Sequence, residues 1–534
     1  MTAEHTRDEI RFCVALGDGP GGASNRIVVY DWFAHGDASH GVEPTDEPAA
    51  AVPPGQQPPP RGGNAVEVLV DGEQAWGRVA DDLEQATGEI QIATWMCRPD
   101  TELRRPRSLA LAEPDARERN TLGATLERRA SAGAHVRLLI WGMVFTPIMD
   151  RWMRRWFWRG RDGIDVLEQD YPGLTGSYHQ KTMTIDGRVG YCGGMNLKEN
   201  DWDTIAHEAW EPRRFPHRSD GWSREEAVQR RRLPPFLPRH DLMVRIEGPA
   251  VGDLMANFAE RWRQSCAARA QQWSTRLVDR VRTRLGVEPP SPLPQPPQQP
   301  RRGDTWVQIV RTTPDGEHGV LAVYRRAIAN ARKYIYIENQ YFRSPELGGL
   351  LAAAIQRNPR LHLVVVAWPI AEGEITFLDP SGYYTAKTVA AIRVARPEFR
   401  PSRLQVAADA AQGGRRWVPV DVHAKVMLID DVWFTVGSAN INDRGFRTEA
   451  ELNAAVVDAG LAADLRRRLM AEHLCTTPDD PRLADIDEAF ALWHEHARHN
   501  ADARAHERDP ISHVFAFDQA GPERPPFGAG SGLF

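Results

Sequence analysis

The chain has 534 residues, with 66 Lys and Arg against 72 Asp and Glu, so its formal net charge is −6. Its 42% hydrophobic and 26% charged residues are typical of a folded protein of about two domains, and they exclude global disorder, a collagen-like repeat and a coiled-coil rod. The mildly acidic balance also argues against a protein that binds nucleic acid through bulk positive charge.

The N-terminus carries no recognisable export signal. The first ten residues mix acids and bases and lack the apolar core of a secretory signal peptide. Further along, the best uncharged apolar stretch is residues 138–149, with 12 residues, whereas a transmembrane helix needs about 18. We therefore expect a cytoplasmic or peripheral membrane protein, and export independent of a signal peptide stays open.

Two segments rich in Pro, Gln and Gly, residues 43–63 and 286–303, predict linkers. They divide the chain into a short N-terminal region with its linker (1–63), a first half (64–285), a second linker (286–303) and a second half with a C-terminal extension (304–534).

Each half opens with the same alternation of helix and strand. In the first half the pattern predicts helices over 73–87 and 121–132 and strands over 89–95 and 136–141. In the second half it predicts helices over 320–332 and 347–357 and strands over 333–337 and 361–368. This alternation indicates an α/β fold with a parallel or mixed sheet, and its recurrence indicates an internal duplication.

The run 151–161 (RWMRRWFWRGR) predicts a helix with Trp and Phe on one side and Arg on the other. Such a helix can lie in the headgroup layer of a membrane. A helix that packs its apolar side into the protein core is an equal alternative.

The pattern His-x-Lys-x4-Asp occurs once in each half. The first copy comprises His179, Lys181 and Asp186, followed by Gly193 and Asn196. The second comprises His423, Lys425 and Asp430, followed by Gly437 and Asn440. All five positions are displaced by the same 244 residues. Because side chains two residues apart on a strand share a face, each histidine is expected to point the same way as its lysine.

Two such motifs face to face would give one pocket with two imidazoles, two ammonium groups and two amides. This set suits a phosphodiester, since one imidazole can attack phosphorus while the other protonates the leaving oxygen. A nearby carboxylate is expected to orient each ring. The residues predicted to bind the phosphate are Lys181, Asn196, Lys425, Ser438 and Asn440. A metal site is disfavoured because a lysine ammonium lies two residues from each histidine, so we expect neither a metal nor a cofactor.

These motifs and the segments around them resemble the phospholipase D superfamily, in particular its eukaryotic-type branch. The further matching segments are Leu69–Trp95 with Leu103–Pro106, His240–Trp262, Val307–Thr312 and Ile335–Phe342. The resemblance implies a bilobed α/β/α fold, made of two similar mixed-sheet halves with the active site between them. It also implies a covalent phosphohistidine intermediate and no metal in the chemical step.

The resemblance further implies individual roles. His179 would be the nucleophile and His423 the general acid that later activates water. The acidic partners of the family match Asp241 and Glu451, with Glu449 as a near neighbour of the second. The two motif aspartates are grouped with the catalytic residues as orienting or ion-pairing groups: Asp186 and Asp430. One departure is Gly445, which stands where the family usually has Ser after Asn-Asp-Arg.

The function implied is that of a phospholipase D, which cleaves the headgroup phosphodiester of glycerophospholipids at a membrane surface and transfers the phosphatidyl group to water or to an alcohol. Three alternatives stay open: a phosphodiesterase that acts on nucleic acid, a cardiolipin-synthase-like phosphatidyltransferase and a lipid-binding scaffold without activity. Net acidity and the lipid-branch segments weigh against nucleic acid, and no protein partner is predicted.

Overall fold

The computed structural model describes nine main segments: 32–34, 57–105, 117–142, 161–171, 176–214, 237–271, 299–368, 381–409 and 415–518. It also describes short pieces at 13–15, 26–28, 280, 293 and 296. The amphipathic run predicted at 151–161 lies outside the described residues except for Arg161, as do large parts of both predicted linkers. No helix in these segments combines the length and the apolar character that crossing a membrane requires.

The N-terminal region contains the strands β1 Cys13–Ala15 and β2 Arg26–Val28. The strands of the first half are β3 Arg61–Val70, β4 Glu89–Thr94, β5 His135–Trp141, β6 Ile164–Gln169, β7 Thr182–Ile185, β8 Val189–Gly193, β9 Arg239–His240 and β10 Leu242–Glu247. Those of the second half are β11 Thr305–Thr312, β12 Tyr334–Asn339, β13 Phe342–Arg343, β14 His362–Ala367, β15 Ser402–Asp409, β16 Arg415–Pro419, β17 Asp421–Val422, β18 Lys425–Ile429, β19 Trp433–Gly437, β20 Ile441–Asn442, β21 Glu451–Val457 and β22 Val514–Ala516.

Within the described segments, sixteen of these strands form one continuous sheet. At its centre β3 pairs with β11 in antiparallel register and joins the two halves. Outward from this junction the first half runs β3-β10-β8-β7-β4-β5-β6, and the second runs β11-β21-β19-β18-β12-β14-β15. The two sequences of strands correspond one to one, and in both halves the outer strands are parallel while the inner ones are antiparallel. The predicted α/β class, mixed sheet and internal duplication are confirmed.

The helices are α1 Asp71–Glu84, α2 Leu122–Ser131, α3 Ala250–Gln271, α4 Gly319–Asn330, α5 Pro345–Arg357, α6 Ser381–Arg393, α7 Ala459–His473 and α8 Ile486–Ala505. Several begin at polar capping residues, because a side-chain oxygen satisfies a backbone N–H that the first turn leaves free. Thr121 caps α2, Ser344 caps α5 and Asp458 caps α7 in this way. The eight predicted elements are all present, with bounds within three residues of those expected.

The strands next to the motif histidines lie in the interior of the sheet. Every residue of β7, β8, β18, β19 and β21 is buried, because both faces of the sheet are covered.

The first linker ends earlier than expected, since β3 already begins at Arg61. Part of the N-terminal region packs on the second half, where Trp32 stacks on Trp433 with ring centroids 6.5 Å apart.

Candidate active site

Each motif histidine sits just before a buried strand and is fixed by the main chain of the other half. The backbone N–H of His179 donates to the carbonyl of Ala450 at 2.9 Å, and that of His423 donates to the carbonyl of His240 at 2.8 Å. Two short parallel pairings reinforce these contacts, one between Tyr178 and Ala450 and one between β9 and β17. The two motifs therefore meet at the junction of the halves.

Each imidazole also receives a carboxylate from the opposite half. His179 Nδ1 lies 2.9 and 3.1 Å from the two carboxylate oxygens of Glu451, at the start of β21. His423 Nδ1 lies 2.7 Å from Asp241 Oδ2, directly before the equivalent strand β10. Glu449, the neighbour left open by the sequence, accepts instead from Arg444 and Ser177. The geometry agrees with the expected pairing and assigns it to Glu451.

The two lysines lie beside their histidines and are almost completely buried. Lys181 Nζ donates to the carbonyl of His179 at 2.6 Å, and Lys425 Nζ donates to that of His423 at 2.5 Å. Burial lowers the pKa of Lys181 to about 7 and that of Lys425 to about 8, because an ammonium group loses its hydration there. An anionic ligand between them would restore both charges.

The same burial favours neutral histidine–carboxylate pairs in the free protein. It lowers the pKa of His179, together with the Lys181 charge, and it lowers the pKa of His423, together with the Arg239 charge. It raises the pKa of Glu451 to about 8 and that of Asp241 to about 7. Attack by one imidazole and protonation by the other require different protonation states, whereas the pKa values of both rings are lowered here. A bound phosphodiester anion would raise the pKa of either imidazole.

The phosphate-binding set predicted from the sequence is only partly free for a ligand. Ser438 Oγ donates to Glu451 Oε2 at 2.5 Å and accepts from the backbone N–H of Leu452, so in the free protein it positions the carboxylate. Asn196 Nδ2 donates to Asp201 at 3.0 Å. The Oδ1 atoms of Asn196 and Asn440 are both buried without a hydrogen bond. Phosphate binding by Ser438 and Asn196 therefore stays a prediction, and one of the two amide N–H donors of Asn196 is used by Asp201.

Comparisons with known proteins agree with this duplicated arrangement. A family model described as phospholipase D matches residues 166–312, and one described as cardiolipin synthase, PLD-like domain, matches residues 324–472. Phospholipase D alpha 3 of Arabidopsis thaliana is 22% identical over 82% of this chain. Phospholipase D alpha 1 of Carica papaya is 26% identical over 79% of it. The chain belongs to the phospholipase D superfamily.

These relatives belong to the eukaryotic-type phospholipase D branch, as the resemblance indicated, and the chain spans 64% of the length of each. Among solved structures, phosphatidylserine synthase of Haemophilus influenzae Rd KW20 is similar over 84% of this chain and 95% of its own, with 12% identity and a TM-score of 0.47. The two similar mixed-sheet halves expected from the sequence are present, and they share one sheet.

The glycines after the second strand of each phospholipase D motif serve packing. A Cβ added at Gly194 would overlap Asp241 Oδ1, and one added at Gly437 would overlap Asn453. Glycine at these positions thus permits close approach of the neighbouring chain segment, which carries Asp241 in the first half and Asn453 in the second. Packing also explains the glycine at position 445, because a Cβ there would overlap the carbonyl of Asn440. The serine usual in the family would not fit this backbone.

Asp186 and Asp430 lie away from the histidines, at the far ends of β7 and β18. At about 3.3 Å per residue, each is separated from its motif lysine by roughly 15 Å of strand. Asp186 accepts from the N–H groups of Thr87 and Gly88, and Asp430 accepts from three consecutive N–H groups at residues 332–334. In the structure they fix the turns after the motif strands through backbone hydrogen bonds, so we do not place them among the groups that react with a substrate.

Gln180, between the histidine and the lysine of the first motif, points to the opposite side of the chain. Its Nε2 donates to the carbonyl of Glu451 at 3.2 Å, and its Oε1 accepts from Asn257 at 2.8 Å and Arg261 at 3.0 Å. Ala424 holds the same position in the second motif. The first motif therefore carries an additional polar contact to the other half.

Sequence reasoning missed several charged groups beside His423. One polar atom each of Asp201, Asp241 and His423 lie within 4.8 Å of one another. Arg239 Nε lies 3.0 Å from Asp201 Oδ1, and Lys198 Nζ lies 3.5 Å from the same atom. Beside His179 the main addition is aromatic, since Trp95 meets that ring edge-on at 5.9 Å. The rarity of lysine in the chain is the one signal that could have pointed to Lys198.

A second buried cluster lies next to this site and contains side chains that can ligate a metal: Asp71, His207, His240 and Glu472. Glu472 Oε1 lies 3.0 Å from both His207 Nε2 and His240 Nδ1. The other ring nitrogens face carboxylates, Asp203 at 3.1 Å and Glu338 at 2.7 Å, an arrangement common around metal-bound histidines. This set could hold a divalent cation.

The cluster is also consistent without a cation. Burial by itself lowers the pKa of His207, but the neighbouring Asp71 and Asp203 carboxylates raise this pKa to about 10, which makes the ring an imidazolium. Since Glu472 comes from α7 and the other three groups from the first half, the cluster joins the halves directly behind Asp241. Its residues are distant in sequence, which explains why no metal-ligand spacing was visible there.

Proposed function

We propose that this chain is a phospholipase D that hydrolyses the headgroup phosphodiester of glycerophospholipids to phosphatidic acid through a covalent phosphohistidine, and that it also transfers the phosphatidyl group to alcohols. The observation that carries the proposal is the pair of histidine–carboxylate contacts, each formed between the halves, with a buried lysine beside each histidine. The phospholipase D relatives support a phospholipid as the substrate.

In the first step His179 attacks phosphorus. The ring attacks when Glu451 is ionised, because Nδ1–H then donates to the carboxylate and the Nε2 lone pair is free as the nucleophile. As the N–P bond forms, the P–O bond to the headgroup breaks, and His423 transfers its proton to the departing oxygen. The negative phosphodiester raises the pKa of His423 on binding, so that this ring carries a proton when it is needed.

Charge on the non-bridging oxygens is stabilised by Lys181 and Lys425. Both ammonium groups are nearly excluded from water, and electrostatic contacts are strong in such surroundings. Binding of the anion reverses the lowering of the lysine pKa values, which makes the site selective for a charged phosphate. No further group is required for this part of the chemistry.

In the second step His423, now neutral, takes a proton from water while the water oxygen attacks phosphorus. The N–P bond to His179 breaks, and phosphatidic acid leaves. An alcohol that enters in place of water gives a phosphatidyl alcohol. We also propose that catalysis takes place at a membrane surface with the chain bound peripherally, and that residues 64–285 and 304–534 are the two catalytic halves.

The test is an assay on mixed phospholipid vesicles with and without ethanol, in which both the released headgroup and the lipid product are measured. Ethanol should divert product from phosphatidic acid to phosphatidylethanol while headgroup release changes much less, because both nucleophiles consume one intermediate. Two displacements also predict retention of configuration at phosphorus. Hydrolysis with inversion and no phosphatidylethanol would overturn the mechanism, and cleavage of plasmid DNA without cleavage of lipid would overturn the substrate class.

A further inference from the structure

A third lysine lies at the edge of the site, on the side of His423. Lys198 belongs to the turn after Asn196, and its Nζ is 3.5 Å from Asp201 Oδ1. Asp201 is itself one of the three groups clustered with Asp241 and His423. The Asp201 side chain is fully buried, whereas 16% of the Lys198 side chain is exposed. The Lys198 charge also acts on His423, whose pKa is lowered by burial and by neighbouring cations that include Lys198.

Composition indicates that this lysine is not an ordinary surface cation. Five of the 66 basic residues are lysines, and three of these five lie at the site: Lys181, Lys198 and Lys425. The other two, Lys333 and Lys387, are exposed. The duplication does not require a lysine here, since the position displaced by 244 residues is Asn442, whose Oδ1 accepts from the N–H of Gly445.

The proposed mechanism fixes which part of a lipid passes this position. When His179 attacks in line, the bond that breaks is on the opposite side of phosphorus, where His423 protonates the departing oxygen. A group on the side of His423 therefore meets the headgroup, and the diacylglycerol part stays on the side of His179. The inference below rests on this assignment of roles and deepens it to the choice of headgroup.

We propose that the Lys198 ammonium contacts the departing headgroup and favours lipids whose headgroup carries a carboxylate or hydroxyl groups over lipids with a quaternary ammonium. An ammonium offers three hydrogen-bond donors, which serine and glycerol headgroups can accept. A choline headgroup offers no acceptor beyond its ester oxygen, and its fixed positive charge is repelled. Lys198 is thus a specificity-determining residue, favouring one headgroup class by attraction and disfavouring another by repulsion.

The experiment compares Lys198→Met with Lys333→Met, a matched change at an exposed lysine. One preparation of vesicles contains phosphatidylglycerol, phosphatidylserine and phosphatidylcholine in equal amounts, so that all three lipids share one surface. Released glycerol, serine and choline are quantified together. The unmodified protein should release glycerol and serine faster than choline, and Lys198→Met should reduce this preference by about tenfold or more, as expected for loss of a charged hydrogen bond. Lys333→Met should retain the preference.

Two further variants distinguish recognition of the headgroup from a structural role of the contact between Lys198 and Asp201. Lys198→Arg retains the positive charge and should keep most of the preference, whereas Lys198→Gln, a second neutral variant, should lose it. The inference is overturned if the unmodified protein prefers choline, or if the neutral variants lose activity equally on all three lipids. A ratio of released glycerol and serine to choline that stays unchanged in the neutral variants would contradict the role of Lys198 alone. Failure of the unmodified protein to cleave any lipid would instead contradict the proposed function itself.

Discussion

The two halves repeat one order of strands around one sheet, yet the surroundings of their histidines differ. His179 contacts the carboxylate of Glu451 and meets the Trp95 ring edge-on. His423 contacts the carboxylate of Asp241. This second contact lies within a group of charged side chains that includes Asp201 and Arg239. The difference traces to chain length, since 45 residues separate Asn196 from Asp241 but only 11 separate Asn440 from Glu451. The longer connection brings additional charges to one histidine.

This comparison shows how a duplication can produce two roles from one motif. The groups shared by both halves are a histidine, the carboxylate beside it and the buried lysine two residues later. The groups that differ lie around them: Gln180 against Ala424, and Lys198 against Asn442. An aromatic neighbour beside the proposed nucleophile and charged neighbours beside the proposed acid would suit the retained lipid and the departing headgroup, respectively.

The largest expected effect tests whether the halves have these separate roles. His179→Ala and His423→Ala should each lower turnover of natural phospholipid at least about a hundredfold, and the double variant should be little worse, because the two groups act in one step. A phosphatidyl ester of p-nitrophenol separates them, since this leaving group needs no acid. With it His423→Ala should give a burst of about one p-nitrophenol per enzyme and then stall, whereas His179→Ala should give no burst. The reverse pattern would exchange the two roles.

The fold and the local motif could be predicted from the sequence because both depend on short-range patterns. Hydrophobic periodicity and capping residues place α2 and β5 within one residue of the expected bounds. The pairing of His179 with Glu451 could not be derived in this way, because 272 residues separate them. A resemblance to known proteins supplied that partner, and the packing of the halves explains it.

Two of the expected site residues have other surroundings than those expected, because closeness in sequence does not imply closeness in space. Asp186 and Ser438 both belong to the motif segments. The extended strand β7 places Asp186 at its far end, away from His179, where the carboxylate accepts from the N–H of Gly88. The close packing of β21 brings Glu451 within hydrogen-bond distance of Ser438. Conversely, Asp201 and Arg239 lie outside the motif and are brought beside His423 by the long connection.

An intermediate effect concerns the burial of Glu451. Burial raises its pKa from an ordinary 4.5 to about 8, so the folded chain binds this proton more tightly than the unfolded chain does. The resulting stabilisation is fully present below about pH 4.5 and is lost as the pH rises through about 8. The free energy of unfolding of the unmodified protein should therefore fall relative to that of Glu451→Gln between about pH 5 and 8, by up to about 1.4 kcal/mol per pH unit.

Denaturant titrations across this pH range measure the difference, with Glu398→Gln as a control at an exposed position. Subtracting the two variants removes the effect of losing a formal charge. A constant difference between the unmodified protein and Glu451→Gln from pH 5 to 8 would show that this carboxyl keeps its ordinary pKa in spite of burial. The half that carries His179 would then lack the neutral pair described above.

The smallest expected effect on turnover concerns the turns after β7 and β18, where the halves again differ. Asp186 and Asp430 both adopt a positive φ, 54° and 59°, which Asn tolerates better than Ala does. Asp430 accepts three backbone hydrogen bonds and Asp186 accepts two. Asp430→Ala should therefore lower the free energy of unfolding by about 1 to 3 kcal/mol, Asp186→Ala by less, and each Asn variant by less than its Ala counterpart.

Turnover per folded molecule, measured at a temperature where every variant is folded, should stay within about twofold of the unmodified protein, because neither carboxylate reaches the histidines. A hundredfold loss of turnover without loss of stability would return these aspartates to the catalytic set.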